Sequence, residues 1–121
     1  MQGNSRKDVW EMYAQAWSRV DQARRQQLLD QSVSPECIYT DPLIQVQGYD
    51  ALSNYMESLQ KNTPGVKFVT TDFQEHHDQS LAQWNMLDGE GKVLSPGISF
   101  ARYDADGRLR QMTGFFASPG R

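Results

Sequence analysis

The sequence predicts an α+β domain, with helices packed on one face of a curved antiparallel sheet of four to six strands. Two observations carry that prediction. Apolar residues recur at three- and four-residue spacing through the first half of the chain, and the period switches to two from about Val66 onward. Two glycine turns, Asp88-Gly89-Glu90-Gly91 and Asp104-Ala105-Asp106-Gly107, then fold the second half into a meander, because glycine accepts the positive φ that tight hairpins demand. Helices first and long strands after them give helices covering one face of a sheet.

Ser5 with Asp8 three residues later resembles a capping box and starts the first helix near Ser5. Val9, Met12, Tyr13, Ala16, Trp17 and Val20 form its apolar stripe. Asp21 caps a second helix running to about Leu29, with Leu28 and Leu29 inward. Ser34-Pro35-Glu36 breaks the helix and leads into a strand at Cys37–Thr40. Gly48 and Asp50 open a third helix whose apolar side is Leu52, Tyr55, Met56 and Leu59, and Pro64-Gly65 stops it. Val66, Phe68 and Thr70 then alternate with polar neighbours as a half-buried strand does. After the polar turn His76-His77-Asp78-Gln79 come strands at about Leu81–Leu87, Leu94–Tyr103 and Leu109–Phe116, with Ser118-Pro119-Gly120 as a tail. Pro96-Gly97 inside the third of these four strands points to a bulge or an edge.

At 121 residues the chain reads as a single domain over 1–121, and its 38% hydrophobic and 11% aromatic content suffices for a core. A net charge of −3, with no cluster of Lys and Arg, argues against nucleic acid or an anionic membrane as partner. Cys37 is the single cysteine, which excludes an internal disulfide and a zinc ribbon; its apolar neighbours make it a small buried hydrophobe. No run approaches the ~20 apolar residues of a membrane span, and the N-terminus lacks a signal-peptide core, so a soluble, cytoplasmic protein is expected.

Asp41 is the leading candidate for chemistry. It closes the Cys37–Thr40 strand, and Pro42 biases it toward extended geometry and ends the ladder there. A carboxylate held at a strand end in apolar surroundings can serve as a proton acceptor. The structural alternative is an Asp that caps local backbone N–H groups, a frequent role before Pro. Tyr13 and Trp17 share the first helix's apolar stripe, where core packing is the default. Adjacent strand residues point to opposite faces, so His76 and His77 cannot both ligate one ion, and no metal is expected.

This order of elements resembles the nuclear transport factor 2-like superfamily, in its SnoaL-like polyketide-cyclase and ketosteroid-isomerase-like branches. The carriers are Tyr13-Ala-Gln-Ala-Trp17 leading to Asp21, Tyr39-Thr-Asp41-Pro42, Gly48-Tyr-Asp-Ala-Leu52, His76-His77-Asp78 with Gln83-Trp84, and Asp106-Gly107-Arg108-Leu109 with Thr113-Gly114-Phe115-Phe116. They span nearly the whole chain. The resemblance implies a cystatin-like, cone-shaped fold: a curved sheet wrapped around three helices of the N-terminal half. It also implies a cofactor-free site for a small apolar molecule. Against the isomerase branch, Tyr13 falls on the phenol donor and Asp41 on the general base. Ser99 falls on the second oxyanion donor, where a neutral hydroxyl is the weaker partner. The cyclase branch uses a late acid, and here Asp104 and Asp106 sit in a glycine turn and look solvated.

The ligand-contacting set implied is Trp17, Met56, Phe68, Asn85, Met112 and Phe116. The isomerase-like register puts Gln83, Asn85 and Leu87 inside and leaves Trp84 outside with Ala82, where it would suit a homodimer contact on the outer sheet face. Two readings follow: a SnoaL-like small-molecule-binding domain acting as an isomerase or cyclase, with Asp41 as base, or a non-catalytic binding module or dimeric adaptor with the same pocket. Whether the Asp41 carboxylate is open to a cavity or tied up by donors of its own chain separates them.

Overall fold

The computed structural model describes residues 5–117; the Ser118-Pro119-Gly120 tail lies outside them. The elements run α1 (Arg6–Ala16), α2 (Gln22–Ser32), β1 (Val33–Asp41), β2 (Ile44–Gln47), α3 (Tyr49–Asn62), β3 (Lys67–His76), β4 (Gln79–Leu87), β5 (Val93–Tyr103) and β6 (Leu109–Phe115). The caps are those the sequence signals. Ser5 Oγ accepts from the Asp8 N–H at 3.1 Å, and an Asp21 carboxylate oxygen accepts from the Arg24 N–H at 2.7 Å. Gly48 holds φ at +85° where α3 begins, a value that a β-carbon resists.

The end of α1 is tied down by distant side chains. Its last carbonyls have no intrahelical partners, and buried groups supply them. Arg25 of α2, only 3% exposed, donates from Nε to the Ala16 carbonyl at 3.0 Å. Gln60 of α3 donates to the Trp17 carbonyl at 2.9 Å and to the Val66 carbonyl at 2.8 Å. One glutamine thus joins the end of α1 to the approach of β3, and Trp17 is fixed between them.

All six strands form one sheet in the order β2-β1-β6-β5-β4-β3. The sheet is curved and open, with the helices on one face, as in cystatin-like proteins. Its neighbours are antiparallel with one exception: β1 and β6 run parallel. That corrects the purely antiparallel expectation. β1 and β6 are separated by α3 and four strands, a connection long enough for a parallel pairing that no hairpin could make. β1 also starts earlier than expected, passing through Pro35. The β1–β6 register shifts between Val33 and Ile38, and the proline sits in that irregular stretch where no ladder bond is needed. β2 alternates Ile44 and Val46 with two glutamines, but at four residues the pattern is too short to mark a strand on its own.

The helices and the inner sheet face enclose a core in which Leu28, Leu29, Val33, Leu52, Met56 and Leu109 are all 1% exposed or less. Each such side chain contributes roughly 1.5–3 kcal/mol by leaving water. Cys37 is buried and free, and burial pushes its thiol up. No described helix is long and apolar enough to cross a membrane.

The expected facing of β4 is inverted. Ser80, Ala82 and Trp84 are the buried residues, whereas Gln83 is exposed and Asn85 faces outward between two inward neighbours. A shift of one residue moves a whole strand's side chains to the other face. Here the partner strand decides it. Trp84 pairs with Gly97 of β5, and the indole lies where a Gly97 side chain would be. Pro96 and Gly97 therefore mark no bulge. β5 is an interior strand whose last β6 pair is Ile98 with Phe115, so Pro96 stands on a local edge and Gly97 makes room for the ring.

Gly97→Ala should destabilise the fold by about 1–3 kcal/mol through overpacking against Trp84. In a Trp84→Phe background the same change should cost clearly less, because the two positions are coupled through contact. Urea unfolding of the four proteins in that cycle measures it; equal costs in both backgrounds would contradict the packing assigned to Gly97.

Candidate functional site

Between the helices and the inner sheet face lies a cavity of about 290 Å³. Its walls are mainly aromatic, and Trp17 is their hub. Held at the end of α1, the Trp17 ring has the rings of Tyr13, Tyr39, Tyr55 and Phe68 around it at centroid distances of 6.2, 5.3, 5.8 and 5.8 Å. Phe68 continues the wall edge-on to Trp84 at 5.2 Å, and Trp84 to Phe116 at 6.2 Å. Edge-to-face and tilted contacts of this kind add roughly 0.5–1.5 kcal/mol per pair beyond burial. The wall is an interlocked set of rings.

Asp41, 8% exposed, supplies the cavity's one carboxylate among the described lining residues. Pro42 ends β1 beside it, and the turn that follows brings two amides back: Oδ1 accepts from the N–H groups of Leu43 at 2.8 Å and Ile44 at 3.2 Å. Oδ2 accepts from two phenols, Tyr39 at 2.6 Å and Tyr55 at 2.8 Å. Tyr39 lies two residues before Asp41 and hence on the same face of β1; Tyr55 reaches in from α3. All four contacts are donations to the acid. Its four usual acceptor directions are filled by its own chain.

Ser99 on β5 is a further polar group on the wall. Its oxygen accepts from the Trp84 indole N–H at 3.0 Å, which leaves its own proton to donate. Tyr13 lines the cavity at 3% exposure, but the phenols on Asp41 are Tyr39 and Tyr55.

Of the residues named from sequence, Tyr13, Trp17, Asp41, Phe68, Ser99 and Phe116 line this one cavity. Three do not. Met56 and Met112 are 0% and 1% exposed and pack in the core outside the cavity wall. Asn85 points to the outer face because β4 is inverted relative to expectation. The residues missed are Trp10, Tyr39, Tyr55 and Trp84. Two signals were present: Tyr39 precedes Asp41 by one strand period, and Trp10 lies three residues before Tyr13 on the buried side of α1. His76 and His77 are exposed at the β3–β4 turn, and the described residues contain no group of three or more acids, histidines or cysteines suited to a metal ion. Asp104 and Asp106 are taken up in the β5–β6 turn, where they accept from its amides and from Arg108.

Residues 9–112 match the family model of the SnoaL-like domain, and the chain belongs to that family. Among solved structures, a proposed isomerase of the SnoaL-like family from Agrobacterium tumefaciens superposes with a TM-score of 0.85 at 24% identity, covering 93% of this chain and 97% of that one. A proposed polyketide cyclase from Sinorhizobium meliloti gives 0.71 at 17% identity over 88% and 93% of the two chains. A protein with a cystatin-like fold from Methylobium petroleophilum gives 0.76 at 16% identity over 96% and 78%. These likenesses establish the fold. No curated protein is similar enough in sequence to count as a relative.

The buried phenols make a pH prediction. Burial pushes Tyr13 well above its ordinary value, and burial together with the charges of Tyr13 and Asp41 does the same to Tyr39. The folded chain keeps these protons where the unfolded chain gives them up, beyond about pH 10. Stability from these groups is thus complete below that pH and is lost above it, by about 1.4 kcal/mol per pH unit for each phenol. Urea unfolding from about pH 8 to about pH 11 measures the slope. Tyr39→Phe should remove about 1.4 kcal/mol per unit of it, and an unchanged alkaline slope would contradict the burial of that phenol.

Proposed function

We propose that this SnoaL-like domain is a small-molecule-binding protein, and that its ligand occupies the aromatic cavity against Asp41. The observation that carries this reading is the filled hydrogen-bonding shell of Asp41. A general base needs an oxygen within reach of the proton it removes. Both oxygens of Asp41 are already engaged by two donors each. Cavities that are mostly apolar with few convergent polar groups are suited to holding small ligands.

A second reading is favoured by one observation: Asp41, Tyr13 and Ser99 line the same space. In that reading a substrate displaces the phenols, Asp41 takes a proton α to a carbonyl, and Tyr13 with Ser99 hydrogen-bonds the developing enolate oxygen. Asp41 then returns the proton at another carbon. The structural neighbours proposed to be an isomerase and a polyketide cyclase agree with such chemistry.

Proton exchange separates the two. Small ketones, steroids and aromatic polyketides that raise the unfolding temperature should be incubated with the protein in deuterated buffer. Binding without catalysis predicts α-hydrogen exchange no faster than in buffer alone. Exchange accelerated by the wild-type protein and abolished by Asp41→Asn would overturn the binding reading in favour of proton transfer.

The outer sheet face supports a proposed homodimer. Ile38, Leu81 and Phe115 are 40%, 37% and 57% exposed there, with Ile98 and Phe100 half-buried between them. Apolar patches of this kind on a broad sheet suit protein contacts. Trp84 takes no part, since it faces the cavity. Sedimentation should find a dimer at micromolar concentration that Phe115→Lys converts to monomer; a wild-type monomer would contradict the assembly.

A further inference from the structure

The cavity places a negative charge where nothing of the protein's own answers it. Asp41 is the single charged residue among the described lining residues; no Arg, Lys or His reaches the space. The ion pairs of the described residues, such as Arg6–Glu75 and Arg102–Asp78, lie on the surface and leave Asp41 out. A buried carboxylate without a counter-charge is costly even when hydrogen-bonded. Around it, eight of the seventeen lining residues are aromatic. Ring faces carry negative electrostatic potential and attract cations, most strongly at desolvated sites, with Trp as the best partner.

We infer that the cavity binds a small organic cation, specifically a quaternary ammonium compound with Asp41 as its counter-charge. This inference rests on the ligand-binding reading above and names the ligand class. The hydrogen-bonding state of Asp41 selects among ammonium types. Its acceptor directions are filled by two amides and two phenols, so a primary ammonium could bind it only by displacing them. A quaternary ammonium offers charge and methyl surface and asks for no acceptor. Trp17 and Trp84 both line the space and are the strongest aromatic partners for its methyl groups. The walls are closely covered, with Trp10, Tyr13 and Trp17 at 4%, 3% and 6% exposure, which fits a free small molecule better than a group carried on a membrane.

The test is calorimetric titration of the full chain with choline and with 3,3-dimethylbutan-1-ol, which has the same shape with carbon in place of the charged nitrogen. Choline should bind at least about tenfold tighter than the neutral isostere. It should also bind tighter than ethanolamine. In Asp41→Asn the preference for choline over the isostere should disappear. Equal or tighter binding of the isostere by the wild-type protein overturns the cation inference and leaves the binding reading standing. So does a preference for ethanolamine. If neither choline nor the isostere nor any apolar probe binds, the binding reading falls as well. The wild-type comparison decides even if Asp41→Asn fails to fold. Phosphatidylcholine vesicles should not bind; binding to vesicles in place of free choline would overturn the assignment to a free molecule.

Discussion

The hydrogen bonds to the Asp41 carboxylate are the constraint on which the rest of this site depends. An ionised acid buried among aromatic rings is destabilising by several kcal/mol unless its oxygens are met by donors. Three parts of the chain meet them. The turn after Pro42 presents the Leu43 and Ile44 amides, β1 presents Tyr39, and α3 presents Tyr55. Each demand reaches back into the fold. β1 must stop at Asp41 for the turn to form, and β2 must follow at once. α3 must cross at a height that lets Tyr55 reach across, which begins with the positive φ of Gly48.

A second constraint orders the apolar side. Trp17 has four rings around it because the end of α1 is held by Arg25 and Gln60 from two other helices. Helix ends left without partners for their last carbonyls would be free to fray, and with them the ring that organises the cavity. Polar tethering at the helix end and aromatic packing within the cavity thus support each other. The aromatic side chains around the space leave Asp41 only 8% exposed, and this burial strengthens the electrostatic interactions made there.

Much of the fold is legible in the chain because its signals are local. Ser5 and Asp21 cap helices by contacts three residues away, and the glycine turns act within four residues. What is not legible depends on partners distant in sequence. The inward facing of Trp84 follows from a missing side chain at Gly97, thirteen positions later and on another strand. The parallel pairing of β1 with β6 depends on the course of everything between them. At the site, Tyr13, Trp17, Asp41 and Phe116 are reached from periodicity and resemblance together, since one face of an element suffices to place them. Met112 shares the face of Phe116, and Met56 lies on the apolar side of α3, yet both are fully buried in the core, and a period cannot distinguish core from cavity wall. The phenols on Asp41 are identified only by the geometry that brings α3 over β1.

The most direct measurement is proton NMR of the Tyr39 and Tyr55 hydroxyls. Exposed phenol protons exchange with water too fast to observe, whereas protons donated to a buried carboxylate are protected. Two slowly exchanging hydroxyl resonances are expected in the wild-type protein. Tyr39→Phe should remove one of them, and Asp41→Asn should remove both together. Rapid exchange of both hydroxyls in the wild type, or their survival in Asp41→Asn, would contradict the account of Asp41 as an anion held by its own chain.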